Sequence, residues 1–122
     1  MTNYNITVYQ GATFKMRLNI KNSQGIPLDL TGHIFAGQIR RTVSSSSIEA
    51  AFSFTLLNQL TNPGEVDCTI ADSVTSAIVV DSSTSAERKI TKMCYDIESE
   101  NSGGETVRWM QGLVDVVPEA TR

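Results

Sequence analysis

Between Thr13 and Ile20 the chain alternates without a break. Phe14, Met16, Leu18 and Ile20 fall on one side, and Lys15, Arg17 and Asn19 on the other. A repeat of two marks a β-strand with one face in a core and one in water. The polar run Asn22-Ser23-Gln24-Gly25 ends it, and Pro27 and Gly32 frame the next reversal around Leu28-Asp29-Leu30-Thr31. A chain that opens this way is committed to sheet, and this stretch holds no catalytic pattern.

The remainder repeats the theme. Tyr4 to Tyr9 alternates, a short first strand that Gln10-Gly11 breaks. His33 to Arg41 reads as strand, with Ile34, Phe35, Ala36 and Ile39 expected to fill both faces. Ser44 to Ser47 is low in complexity and is expected to be the mobile loop of a hairpin. Ala50, Phe52, Phe54 and Leu56 alternate on the returning strand, Asn62-Pro63-Gly64 signals a turn, and Glu65 to Ile70 alternates again. From Asp72 the spacing of Val74, Ile78 and Val79 predicts one helical face over 72–79, capped by Asp72 or Ser73. Ser82 to Glu87 reads as loop, and Ile90 to Glu98 as a strand with Met93, Tyr95 and Ile97 on one face. Glu100-Asn101-Ser102-Gly103-Gly104 is a tight hairpin turn. Thr106 to Val117 closes the series, with Gly112 a candidate bulge.

About seven short strands between regular turn signals describe an all-β sandwich with one short helix. The predicted core is Phe14, Met16, Leu18, Ile20, Phe52, Phe54, Val66, Ile70, Tyr95, Ile97, Trp109, Val114 and Val116. No internal repeat or linker interrupts the chain, so its 122 residues read as a single domain, 1–122. A net charge of −3 without any Lys/Arg run argues against direct contact with nucleic acid. No apolar stretch is long enough to span a membrane. Met1 to Asn5 lacks the basic and apolar parts of a signal peptide, so the expectation is a chain made and kept in the cytosol. In that reducing compartment Cys68 and Cys94 are expected to be two small buried thiols and not a disulfide.

Several motifs, taken together, resemble a known family. They are Gly11-Ala12-Thr13-Phe14, Ile26-Pro27-Leu28-Asp29-Leu30-Thr31-Gly32, Ile39-Arg40-Arg41 and Pro63-Gly64-Glu65-Val66. They continue with Cys94-Tyr95-Asp96-Ile97-Glu98 and the closing run from Trp109 to Arg122. The set resembles the small immunoglobulin-like domains of tailed-bacteriophage virions, similar to the N-terminal domain of baseplate upper proteins. That pattern runs Gly-Asp-Thr-Phe, Pro-Ile-Asp-Leu-Thr-Gly, Tyr-Asp-Leu-Glu and Gly-x-Val-x-Val-x-Pro-Glu-Val-Thr-Arg. The chain departs from it at Ala12, where the pattern has Asp, and in a longer hairpin around Ser44–Ser47. The resemblance spans nearly the whole chain. It implies an immunoglobulin-like antiparallel β-sandwich of about seven strands. It further implies a non-enzymatic virion component that works by protein–protein contact and leaves its station open; the expectation is tail, baseplate or neck, in a protein made in the host cytoplasm and packed in multiple copies against other virion proteins. The family pattern carries no catalytic residue, cofactor or metal.

The residues themselves offer little chemistry. His33, the sole histidine, follows Gly32 at a turn, and no Gly-x-Ser-x-Gly nucleophile exists. Zinc would need four Cys/His ligands, and the chain has three such residues in all, widely spread. Asp67, Asp72, Asp81, Asp96 and Asp115 lack EF-hand spacing, while Asp29 and Asp72 suit turn and cap acceptors. Gly103-Gly104 precedes no helix and no phosphate-loop Lys, so it is a turn. Tyr95 and Trp109 would serve either as core or as a sugar-stacking platform, the second making this a carbohydrate-binding module. Arg40-Arg41 is a strand-end pair suited to an acidic partner or to guarding an edge. If the chain acts by packing, the expected contact regions are Asn3–Tyr9, the Ile34–Phe54 hairpin and Pro118–Arg122. A capsid decoration protein of the same fold is the neighbouring alternative.

Overall fold

The computed structural model describes residues 2–81 and 89–120. The strands are β1 (Thr2–Asn3), β2 (Ile6–Tyr9), β3 (Phe14–Asn19), β4 (Ile34–Arg40), β5 (Ala50–Ala51), β6 (Ser53–Leu56), β7 (Glu65–Ile70), β8 (Thr91–Glu100) and β9 (Thr106–Val117). One helix, α1 (Asp72–Ser76), follows β7. One sheet runs β1-β9-β8-β4-β5, with β2 also on β9, and the other runs β3-β7-β6. The two face each other across a core that includes Val8, Leu30, Ile39, Val66, Cys68, Ile97, Val114 and Val116. A three-strand layer closing on a sheet whose centre is the last two long strands is the strand order of an immunoglobulin-like β-sandwich.

Alternation decides each strand's faces. In β8, Met93, Tyr95 and Ile97 point inward while Lys92, Cys94 and Asp96 point outward. The chain changes sheets at Phe52: its amide donates to the Gly37 carbonyl of β4, and the next residues pair with β7. Phe14, Phe52, Phe54, Phe35 and Tyr95 meet there as tilted or edge-on ring pairs 5.5–6.3 Å apart.

The N-terminus departs from an all-antiparallel reading. Both β1 and β2 run parallel to β9, with Ile6 to Tyr9 opposite Val114 to Val117. Between them, at Tyr4–Asn5, the chain bends over Gly112. A side chain at Gly112 would strike the Tyr4 carbonyl, so only glycine lets the strand pass. Gly112 is therefore not a bulge. It pairs normally with Tyr95, and the register shift lies between Ile97 and Glu98, where Trp109 is the extra residue.

Other expectations are also corrected. Of the predicted core, Phe14, Met16, Phe54 and Trp109 are only half-buried. Ile34 is 72% exposed and Ala36 is exposed, because β4 is covered on one face only. In α1 the buried residue is Thr75, followed by Ile78, whereas Val74 and Val79 face solvent. Ala71 occupies the N-cap without a side-chain bond, and Asp72 sits in the first turn. Cys94 lies on an outward face and Cys68 in the core; both are free thiols. In the serine tract between β4 and β5, the Ser45 carbonyl accepts a bond from Arg40 Nη1 at 2.7 Å. The Ser82–Glu87 loop lies outside the described residues.

Candidate functional site

The single histidine sits at one end of the sandwich, beside the turn from Asn101 to Glu105. Its Nδ1 lies 3.2 Å from the hydroxyl of Ser99, a buried residue of β8. The same hydroxyl accepts the indole N–H of Trp109 at 2.8 Å. Trp109 reaches it because the bulge turns its ring inward. With the indole donating, the Ser99 hydroxyl keeps one lone pair and its own O–H for the His33 ring, and the His33 tautomer sets which of the two is used. Asp29 lies near but is engaged with Thr31, whose amide and hydroxyl both donate to Oδ1, and these bonds hold its carboxyl below the usual range. His33, Ser99 and Asp29 thus share a neighbourhood in which the serine is buried and its hydroxyl already bonded. The sequence hid this meeting, because Ser99 and Trp109 join His33 only through strand pairing.

A concave region opens on the outer face of the larger sheet, about 500 Å³ in volume. Gln38 and Arg40 of β4, Cys94 and Asp96 of β8, and Gln111 and Leu113 of β9 supply much of its lining. Much of this polarity is satisfied within the chain. Arg40 donates to Gln38 Oε1 and Ser45, Gln111 Nε2 donates to Asn3 Oδ1, and the Leu113 amide donates to Asn5 Oδ1. Arg108 lies 3.6 Å from Asp96. Burial, with the Asp96 charge adding to it, raises the Cys94 thiol against the pull of Arg40. That makes it a poor nucleophile at neutral pH.

The carboxylates separate instead of converging. Asp67 takes a two-pronged bond from Arg17, at 2.8 and 3.2 Å. Asp115 takes one from Lys92 Nζ at 2.6 Å, and Asp81 one from Arg41 Nη1 at 2.7 Å. Among the described residues no three His, Cys, Asp or Glu side chains form a metal-holding group. Tyr95 is 4% exposed, and its hydroxyl donates to the Tyr4 carbonyl at 2.5 Å, so its ring is no stacking platform. Burial pushes that hydroxyl up to about 12.

Of the expected contact regions, Asn3–Tyr9 spends its backbone on β9 and places Ile6 and Val8 in the core; Tyr4 and Tyr9 remain more than half exposed. The hairpin from Ile34 carries Val43, 92% exposed, and Ile48, 48% exposed. In the C-terminal region Pro118 is buried, and the Glu119 amide donates to buried Gln10. The last two residues lie outside the described ones.

No family model and no curated protein matches this sequence. Among solved structures, the chain is similar to murine CRIg at 10% identity, covering 94% of this chain and 92% of that one, with a TM-score of 0.41. It is also similar to part of a Photobacterium 2,6-sialyltransferase at 14% identity and a TM-score of 0.36, covering 96% of this chain. The chain spans 18% of that enzyme's length. Likenesses of this strength carry nothing about function.

Proposed function

We propose that this chain is a non-enzymatic structural component of a tailed phage virion, in tail, baseplate or neck, working by packing against other virion proteins. The reading is carried by the motif set itself. Its Thr-Phe strand start, its Pro-Leu-Asp-Leu-Thr-Gly connector and its Pro-Gly-Glu-Val turn fall where the sandwich reverses direction. Two features favour packing over chemistry. The Ser99 hydroxyl is consumed inside the fold by Trp109 and His33. The apolar side chains left outside include Tyr9, Val43, Ile48 and Leu60, and a non-obligate interface needs no more apolar surface than this, being about as apolar as the rest of a protein's exterior.

Labelling purified particles from the source culture with an antibody to this chain tests the proposal by electron microscopy. Label on tail, baseplate or neck is the expected result. Label over the head would favour a decoration protein of the same fold, and particles without label would overturn the virion reading. In complementation, His33→Ala should leave particle yield nearly unchanged, whereas Val43→Asp with Tyr9→Ser should reduce incorporation of a folded chain.

A further inference from the structure

The three-strand sheet leaves one long strand half used. β3 pairs with β7 on one side, and among the described residues no strand pairs with its other edge. The Ile20 amide donates to Gly64, and this fixes the phase of the ladder. Phe14, Met16 and Leu18 turn their backbone groups to β7, so Lys15, Arg17 and Asn19 turn theirs outward. On the far side, the Leu57 amide donates to Glu65, which puts the alternate residues of β7 on β6. β7 is therefore bonded on both sides, while β3 offers a row of donors and acceptors that no strand among the described residues uses. At six residues β3 is longer than the other strands that lie at a sheet edge over their whole length: β6 has four, β2 four, and β1 and β5 two each. It contains no Pro, Gly or bulge.

The side chains agree with the backbone. Phe14 and Met16 point into the sandwich yet are only half-buried, and among the described residues no strand lies beside them on the open side. On the solvent face the edge is cationic: Lys15 makes no side-chain hydrogen bond or ion pair among the described residues, and Arg17 uses Nε and Nη2 on Asp67. A second copy of β3 pairing antiparallel would set Lys15 against Arg17, or Arg17 against itself. Like charges directly opposite are disfavoured, so the edge rejects its own copy. A strand with acidic residues on the solvent face and apolar ones on the inner face meets no such penalty. β7 already has that composition on the other side of β3, with Glu65 and Asp67 outside and Val66, Cys68 and Ile70 inside.

We propose that the free edge of β3 is a docking site for an extended segment of a partner protein that alternates apolar and acidic residues. The segment adds a fourth strand to the smaller sheet and covers Phe14 and Met16. This rests on the reading that the chain works by packing, and it names one contact and its chemistry.

The test uses the full chain and two short labelled peptides, one alternating glutamate with valine and one alternating lysine with valine. Titration followed by fluorescence polarisation and amide hydrogen exchange is expected to show the glutamate peptide binding about tenfold more tightly. It should also slow exchange at Lys15, Arg17 and Asn19. Lys15→Glu should reverse or abolish the preference while the β3–β7 amides, read in the same spectra, stay protected. Equal binding of both peptides would overturn the proposal. So would protection appearing on β6, β2 or the outer face around Cys94 and Gln111, or no protection at Arg17 at millimolar peptide. Absence of the chain from virions would overturn the proposed function and leave this result standing.

Discussion

β8 and β3 are written in the same alternating code and end in different surroundings. Met93, Tyr95 and Ile97 of β8 are between 0 and 4% exposed, in a strand that β9 pairs along one side and β4 along the other from Cys94 to Glu100. In β3 only Leu18 reaches that depth, at 3%, while Phe14 and Met16 stay half-covered beside an edge that no strand among the described residues pairs. Alternation specifies which side chains point inward. Whether the inside is closed depends on how many strands stand alongside.

Truncation measures the difference most directly. Ile97→Ala should lower stability by about 2–5 kcal/mol, as expected for a fully enclosed aliphatic side chain. Met16→Ala should cost less than half as much in the same denaturant titration. Equal losses would mean that the edge of β3 is as well covered as the centre of the larger sheet. The next effect belongs to the opposite edge, where Gly112 lets β1 bend onto β9. Gly112→Ala should cost about 1–3 kcal/mol, since the obstacle is the Tyr4 carbonyl and backbone cannot step aside cheaply. Amide exchange should localise the damage to Tyr4, whose N–H donates to Gln111. Faster exchange spread evenly over β8 would show that the bend is not the element that suffers.

A smaller contrast is visible in alkali. Burial pushes the Cys68 thiol and the Tyr95 hydroxyl up to about 12, from ordinary values of 9.0 and 10.0. Raised values mean that the unfolded chain ionises first. Stability should therefore be intact below pH 9.0 and fall as pH rises toward about 12, with Cys68→Ala weakening the early part of the fall. A urea midpoint that is flat from neutrality to pH 12 would contradict the enclosure of these two groups. The smallest effect lies on the solvent face of the smaller sheet. Arg17 holds the Asp67 carboxyl below its ordinary 3.8, so the pair stabilises above that pH and its contribution is lost as pH falls through the lowered value. Asp67→Asn should remove that acid dependence with little change at neutral pH, because half-exposed ion pairs are screened.

The turns were the most legible part of the chain. Asn62-Pro63-Gly64 and Asn101 to Gly104 act locally, through backbone angles that few residues adopt, and both lie where the sequence puts them; Gly104, at a φ of 82°, shows the reason. The short helix was legible as a helix and misread as to face. Thr75 is buried there because its hydroxyl donates to the Ala12 carbonyl and accepts the Gly11 amide, contacts made across more than sixty residues. Nothing near Val74 or Val79 in sequence reports that bond. The meeting of His33, Ser99 and Trp109 was unreadable for the same reason: it depends on a one-residue bulge that swings the indole inward.

By itself, then, the sequence determined what short range controls. It fixed the positions of most strands, the faces they present, the reversals between them, and hence an all-β sandwich. The tertiary structure alone decided what depends on neighbours brought together from far apart. It set the parallel return of the N-terminus onto β9, the depth at which each inward side chain rests, and the edge of β3 that no strand among the described residues pairs. Period-two alternation is a property of one strand, whereas burial and edge exposure are properties of a strand and those on either side of it.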